Sequence, residues 1–214
     1  DNFGEDLIAN VRGGGIYYWD TSAGASARAV DITSLSGNNQ PQAANIVLVS
    51  ERDRHVIAFG CDPQGDPGVL DPLTVRFSSQ ESVTDWQARA DNTAGELRIG
   101  TGSEIITAVQ TKQQVVVFTD RSVSAMQFIG APFTFGVTEV STNTSIASQN
   151  AAVAFGDVVY WMGDEVFYMY DGNVKLIPCP VEEYIFDNLN LDQRAKVTAG
   201  VNSKFNEIWW FYPS

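Results

Sequence analysis

Short apolar runs, cut by glycine and aspartate, recur along this chain and restrict its fold more than any other feature. Two such runs, Val158–Met162 and Val166–Met169, are separated by Gly163-Asp164-Glu165. Runs of β-branched and aromatic residues between turn-forming residues are typical of antiparallel strands. The stretch from 154 to 172 therefore predicts strands joined by tight turns.

The same arrangement recurs from one end of the sequence to the other. The run at Val115–Phe118, with its following turn, matches Val158–Trp161 at an offset of 43 residues. Equivalent points in five such runs are separated by 48, 59, 43 and 50 residues, and they are Ile8, Val56, Val115, Val158 and Ile208. A repeat of about 40–50 residues built from several short strands is typical of a β-propeller blade.

Individual strands can be predicted within these units. The clearest unit predicts four strands, at Ala151–Phe155, Val158–Met162, Val166–Tyr170 and Val174–Pro178. The unit before it predicts three, at Ile105–Gln110, Val115–Thr119 and Val123–Phe128. The unit around Val56 predicts Ile46–Ser50, Val56–Cys61 and, after a long loop, Leu73–Ser78. Three runs are continuously apolar, as expected for inner strands covered on both faces, namely Val115–Phe118, Val158–Trp161 and Ile208–Phe211.

The predicted fold is all-β, a β-propeller or propeller fragment made of four-stranded antiparallel blades. A β-sandwich is the alternative, which explains the number of strands but not the shared inner-strand pattern. We expect one β domain over 1–214, with repeat units at about 1–35, 45–90, 104–130, 150–180 and 196–214. Because the first unit lacks its opening strand and the last stops after its second, we also expect a fragment of a longer chain. Two long polar loops are predicted at 21–45 and 133–150, and short helical turns at 180–195.

The charge balance limits the partners of the chain. Acidic residues outnumber basic ones 26 to 13, which gives a net charge of −13. With no basic stripe, a sequence-reading nucleic-acid binder is disfavoured. An acidic surface serves solubility, and it would also suit a wall along which DNA slides, since it repels DNA. No window approaches the roughly 20 apolar residues that a membrane span needs.

The residues that could take part in catalysis, metal binding or phosphate binding can each be explained by a structural role. The single histidine, His55, lacks partners for a zinc site, and we expect a solvated or Asp-paired histidine in a turn. Cys61 and Cys179 could pair in an oxidising compartment, but free thiols lining the core are favoured. Gly13-Gly14-Gly15 lies between two strands without a following helix, so a hairpin turn is expected instead of a phosphate loop.

The acidic residues offer two weaker hypotheses. A glycosidase needs two carboxylates across a sugar, and the candidates are Asp164-Glu165, Glu182-Glu183 and the set of Asp62, Asp66 and Asp71. A hard cation could be bound by Asp62, Asp66 and Asp71, although their spacing does not fit an EF-hand. All these residues fall in predicted turns, where Asp and Asn are explained by local hydrogen bonds. We therefore predict no catalytic, cofactor-binding or metal-binding residues.

The segment from Ser78 to Trp86 resembles the Asp-box hairpin of sialidase propellers. Ser78, Thr84 and Trp86 match the pattern, whereas Gln80 replaces its aspartate. That hairpin is a folding device in which a tryptophan lies beneath a polar turn. The resemblance supports a propeller, and a sialidase-like hydrolase is the least favoured of three functions.

Four segments are similar to a large family of tailed-bacteriophage virion proteins, namely 1–20, Arg54–Gly60, Val159–Gly163 and Phe205–Tyr212. They resemble the tail nozzle or head-to-tail stabilisation proteins of short-tailed phages. The resemblance implies β-propeller domains that assemble as rings below the portal, where they retain packaged DNA and then let it pass.

The functional expectation follows from this resemblance. The chain is predicted to be a non-enzymatic tail or connector component of the virion. Its expected partners are copies of itself in a ring and other tail or portal-adaptor proteins. DNA would pass through the ring without sequence-specific contacts. The loops at 21–45 and 133–150 would contact neighbouring subunits. The alternative is a propeller that binds a host glycan or protein, which exposed aromatic residues such as Trp19 or Trp86 would favour.

Overall fold

A computed structural model describes residues 1–50 and 52–214 and consists mainly of antiparallel strands. The strands form four four-stranded sheets and one two-stranded sheet. Each four-stranded sheet is a meander, in which strands that are consecutive in sequence lie side by side. An all-β fold with four-stranded antiparallel sheets is thus confirmed.

The chain divides into two compact units, one made of Asp1–Gly100 and Gln127–Gly136 and the other of Thr101–Met126 and Val137–Ser214. The first sheet of the first unit contains β1 (Asn2–Phe3), β2 (Asp6–Asn10), β3 (Ile16–Trp19) and β4 (Val30–Asp31). Its second sheet contains β5 (Ala44–Val49), β6 (Val56–Cys61), β7 (Thr74–Phe77) and β8 (Gly95–Arg98). Two short 3₁₀ helices lie at Thr21–Ala23 and Ile32–Ser34.

Three further sheets follow along the chain. The third contains β9 (Ile105–Gln110), β10 (Val115–Thr119), β11 (Ser122–Gly130) and β12 (Thr134–Thr142), and the outer part of its last hairpin belongs to the first unit. The fourth contains β13 (Ala152–Phe155), β14 (Val158–Met162), β15 (Phe167–Tyr170) and β16 (Val174–Ile177). The helix α1 (Glu182–Asn188) and a 3₁₀ helix (Leu191–Lys196) precede the last sheet, β17 (Thr198–Asn202) and β18 (Glu207–Phe211).

The core of the first unit is formed where its sheets are covered on both faces. Every residue of β6 is buried, and Trp86 packs into the same cluster as Ile8 and Ile16. Strands β2 and β5 lie against each other. The continuous apolar run Val56–Cys61 is explained by this two-sided burial.

The core of the second unit centres on Trp161 of β14 and Phe118 of β10, which are both fully buried. The first strands of its sheets lie side by side, with β13 between β9 and β17. Trp210 and Tyr212 pack on this core from the last sheet.

Sequence and structure differ in several places. The first repeat unit was expected to lack its opening strand, but its sheet has four strands, with β1 (Asn2–Phe3) first and β4 (Val30–Asp31) inside the predicted loop at 21–45. Both strands have only two residues, which is too short to show an apolar pattern. The predicted loop at 133–150 contains the strand β12, which was missed because much of it is only half-buried or exposed and its sequence is correspondingly polar. Strand β8 was missed for the same reason, since two of its four residues are exposed. The run Ile208–Phe211 was predicted to be covered on both faces, but alternate residues of β18 are exposed.

Candidate functional site

The lone histidine was expected to be either solvated or paired with an aspartate in a turn, and its burial in the first unit shows that the solvated alternative was wrong. His55 is fully buried, and its Nε2 atom lies 3.1 Å from Thr93 Oγ1. Three phenylalanine rings surround the imidazole, with centroids 5.1, 5.9 and 6.5 Å away, from Phe135, Phe128 and Phe77. Burial lowers the pKa of His55, and the nearby Asp53 opposes this shift.

Because His55 is buried, we expect the first unit to become less stable as the pH falls. Because the folded state holds His55 with a pKa below the ordinary 6.5, the unfolded chain takes up the proton first. Neutral His55 therefore makes its full contribution to the free energy of unfolding above the unfolded pKa. This contribution is lost as pH falls from about 6.5 toward the folded pKa, by up to about 1.4 kcal/mol per pH unit. Urea denaturation between pH values of about 7 and 5, followed by hydrogen exchange of β6 amides, measures this slope.

A His55→Gln variant is the matched control for this pH dependence. It keeps a polar side chain but removes the titrating group, so the slope assigned to His55 should disappear. An unchanged slope would assign the acid sensitivity to other groups.

Two of the three aspartates proposed to bind a cation, Asp62 and Asp71, are hydrogen-bonded to the protein, and the third, Asp66, is exposed. Asp62 is fully buried, and its carboxylate accepts backbone N–H bonds of 2.9, 3.0 and 3.1 Å from Gln42, Ala43 and Gly68. Asp71 accepts a bond of 2.7 Å from Arg98 Nε. Within residues 1–50 and 52–214, no three potential metal ligands come together. The structural interpretation of this loop agrees with these bonds.

A buried arginine beside Asp62 was missed in the sequence. Arg76 on β7 is almost fully buried, and its guanidinium donates to the backbone carbonyls of Asp62 (3.2 Å) and Asn39. Its Nε atom lies 3.9 Å from a carboxylate oxygen of Glu96. Burial lowers the pKa of this guanidinium. The only feature of the sequence that could have indicated this burial is the position of Arg76 between Val75 and Phe77 in the predicted strand Leu73–Ser78.

The two cysteines are both free thiols. Cys61 lies at the end of β6, and burial raises the pKa of its thiol to about 12. Because the thiolate is the reactive form, Cys61 is chemically inert at neutral pH. Cys179 is half-buried beside the core of the second unit.

The acidic pair Asp164-Glu165 borders an open cleft of ≈ 480 Å³ that also contains Tyr168. Asp164 is paired with Arg194, with 2.9 Å between Oδ1 and Nη2. Burial, together with the charges of Asp164 and Glu165, raises the pKa of Tyr168. The other pair, Glu182-Glu183, lies in the first turn of α1.

The segment that resembles an Asp-box has the arrangement expected of a folding device. Trp86 is fully buried, and its indole N–H donates to the Val83 carbonyl at 2.9 Å. The turn above it is closed by Ser79 N–H, which donates to the Asp85 carbonyl at 2.7 Å. Trp86 is therefore unavailable to a ligand, and Trp19 is half-buried with its indole bonded to the Ala27 carbonyl.

Exposed apolar side chains concentrate on the last sheet and the segments around it. Trp209 and Phe211 on β18 are 49% and 59% exposed. Other exposed members of this region are Leu176, Val181, Tyr184, Leu191, Val201 and Phe205. The rings of Trp209 and Phe211 are neighbours, with centroids 6.2 Å apart, so these two residues form an exposed aromatic pair.

Comparison of the sequence with protein-family models and with curated proteins finds no significant match. Among the helices that the structure describes, none is long and apolar enough to cross a membrane.

Proposed function

We propose that this chain is a non-enzymatic structural component of a tailed-phage virion, in its tail or head-to-tail connector. In this proposal the sheets are blades of a β-propeller, and copies of the protein assemble as a ring through which DNA passes. Other tail or portal-adaptor proteins are the further partners.

The observation that carries the proposal is the order of the sheets. Four successive four-stranded meanders are followed by a two-stranded one, and β13 lies against both β9 and β17 in the second unit. First strands that lie side by side in successive antiparallel sheets are expected of propeller blades. A sandwich would instead place strands that are distant in sequence in the same sheet.

The chemistry of the chain supports a scaffold. Asp164 is paired with Arg194, and the buried histidine and the buried cysteine have structural partners or apolar surroundings. The net charge of −13 suits a channel wall that does not retain DNA as it passes.

The oligomeric state tests the proposal. Sedimentation and negative-stain electron microscopy of the purified chain should show closed rings with a central channel and a mass that is a multiple of 23.3 kDa. Phe133, which is 72% exposed and lies in the predicted contact loop at 133–150, offers an interface probe. Phe133→Ser should weaken the ring, whereas Val69→Ser at a comparably exposed site should not. A monomeric parent protein would contradict ring assembly.

A module that binds a host glycan or protein is the second candidate. The exposed aromatic rings of Trp209 and Phe211 favour it, because aromatic faces pack against apolar faces of ligands. Glycan-array binding that is lost in Trp209→Ala would support this alternative over the scaffold.

A further inference from the structure

The connection between β6 and β7 in the first unit contains three aspartyl–prolyl peptide bonds. They are Asp62–Pro63, Asp66–Pro67 and Asp71–Pro72. In this kind of bond the aspartate carboxyl can attack its own backbone carbonyl, a step that is favoured because both groups are already within reach of each other. The proline nitrogen leaves more readily than an ordinary amide nitrogen because it is more basic. The connection therefore contains three bonds that could break without an enzyme.

Two of the three carboxylates are kept from this reaction by hydrogen bonds. Asp62 is fully buried, and its carboxylate accepts the three backbone N–H bonds described above. Asp71 accepts bonds from Leu73 N–H and from the Thr74 hydroxyl, both of 3.0 Å. Its carboxylate also accepts the bond of 2.7 Å from Arg98 Nε. Attack by either carboxylate must first break these bonds, which lowers the rate.

The third carboxyl, that of Asp66, is free to react. Asp66 is exposed, and its side chain has no hydrogen bond or ion pair among the described residues. Its backbone is held in place, because its N–H donates to the Pro63 carbonyl at 3.1 Å and its carbonyl accepts a bond of 3.2 Å from Val69 N–H. The second bond closes a turn around Pro67 and Gly68, and Gly68 has the positive φ of +80° that a type II turn requires. An unrestrained carboxyl thus lies beside a fixed carbonyl.

The three carbonyls that would be attacked are alike, since each accepts a hydrogen bond. The Asp62 carbonyl accepts from Arg76 Nη1 at 3.2 Å, and the Asp71 carbonyl accepts from Thr74 N–H at 3.1 Å. Such a donor stabilises the negative charge that develops on the carbonyl oxygen as a nucleophile adds. The freedom of the carboxyl therefore separates Asp66 from the other two aspartates.

We propose that the chain cleaves itself at the Asp66–Pro67 bond in mild acid. The un-ionised carboxyl of Asp66 forms a C–O bond to its own backbone carbonyl carbon, and its proton passes to the proline nitrogen. The C–N bond then breaks with its electron pair on nitrogen, which leaves a cyclic anhydride at Asp66 and a free amine at Pro67. Water adds to the anhydride and opens it to two carboxyl groups, so water is the only co-reactant.

The first unit is expected to stay folded after this cleavage. Strands β6 and β7, on either side of the connection, are paired from Ile57 opposite Phe77 to Phe59 opposite Val75. Every residue of both strands is buried. The two fragments, residues 1–66 and 67–214, are therefore held together by the sheet, and they should coelute in size-exclusion chromatography until a denaturant is added. The proposal does not depend on ring assembly or on a viral origin.

Intact-mass spectrometry of the unaltered protein tests the proposal. The protein is kept for several days at the lowest pH at which near-UV circular dichroism shows it to be folded, because aspartate side chains ordinarily take up a proton only near a pH of about 4. Cleavage after Asp66 should be at least about tenfold faster than cleavage after Asp62 or Asp71, the factor expected for breaking one or two charge-assisted hydrogen bonds. In concentrated urea at the same pH the three rates should agree within about threefold, because the unfolded chain no longer restrains the carboxylates.

Variants at the bond identify the reacting groups. Asp66→Asn removes the attacking carboxyl, and Pro67→Ala keeps that carboxyl but restores an ordinary amide nitrogen, so each should suppress the fragment pair. Asp157→Asn, at an exposed aspartate that is followed by valine, is the matched control. It should change the rate after Asp66 by less than about twofold, because surface substitutions away from a site have small effects.

Three results would overturn the proposal. Rates in the folded protein that agree within about threefold at the three bonds would show that the fold does not select Asp66. Folded protein that stays intact while the urea-denatured protein is cleaved would show that the turn protects this bond too. Fragments that form at the same rate in Asp66→Asn would assign the cleavage to a group other than this carboxyl.

Discussion

Replacing Trp161 with alanine is expected to destabilise the second unit by about 3–5 kcal/mol. Trp161 is fully buried, its ring meets Phe118 edge-on at 5.0 Å, and it stacks on Tyr168 at 5.1 Å. Its indole N–H donates to the Ser145 carbonyl at 3.1 Å. The substitution therefore opens a large cavity and also leaves a carbonyl without its donor, and both effects are destabilising.

Hydrogen exchange of β14 amides and urea denaturation measure this loss. Exchange reports on the second unit directly, which matters because a chain of two compact units need not unfold in one step. Trp209→Ala is the matched control, since this ring is half exposed, and it should change stability by less than about 1 kcal/mol. Equal losses in the two variants would show that Trp161 does not organise the core.

Strands β6 and β10, in which every residue is buried, have the predicted bounds, because their burial on both faces requires an almost unbroken apolar sequence. Strands β9 and β14 also have the predicted bounds, although each contains half-buried residues. Strand β12 was missed because its exposed positions contain Thr138 and Glu139, which interrupt the apolar pattern. The coverage of β18 was mispredicted since it depends on neighbouring strands and not on the apolar sequence of β18 itself.

Among the candidate site residues, too, sequence predicts an environment that is set by neighbouring residues better than one that is set by distant segments. Asp71 has a partner nearby in sequence, since Leu73 N–H donates to its carboxylate. Asp62 instead accepts bonds from Gln42 and Ala43, which lie 20 and 19 residues before it.

His55 was mispredicted because the rings of Phe128 and Phe135 that cover it come from a distant hairpin. An apolar pocket of ≈ 270 Å³ between Phe167, Cys179 and Trp210 also needs several separate segments, so no local motif could have indicated it.

Arg76 provides the second large expected effect, in the first unit. Arg76→Ala should destabilise that unit by about 3–5 kcal/mol, because it deletes a buried side chain and two charge-assisted hydrogen bonds. Those bonds join β7 to the carbonyls of Asp62 and Asn39, which lie in two different connecting segments. Urea denaturation, with hydrogen exchange of β7 amides to report on the first unit, measures the loss.

Arg76→Met separates the two causes, since methionine restores most of the apolar volume but donates no hydrogen bond. It should lose about 1–3 kcal/mol, less than the alanine variant, because the carbonyls of Asp62 and Asn39 lose the donor that Arg76 provides. Arg98→Met removes a salt bridge to Asp71 from a side chain that is 59% exposed, and it should lose less than about 1 kcal/mol. If Arg76→Met is as stable as the parent, packing of the aliphatic stem carries the contribution of Arg76 and the guanidinium bonds add nothing net. If it is as unstable as Arg76→Ala, these bonds hold the connecting segments of Asp62 and Asn39 in place.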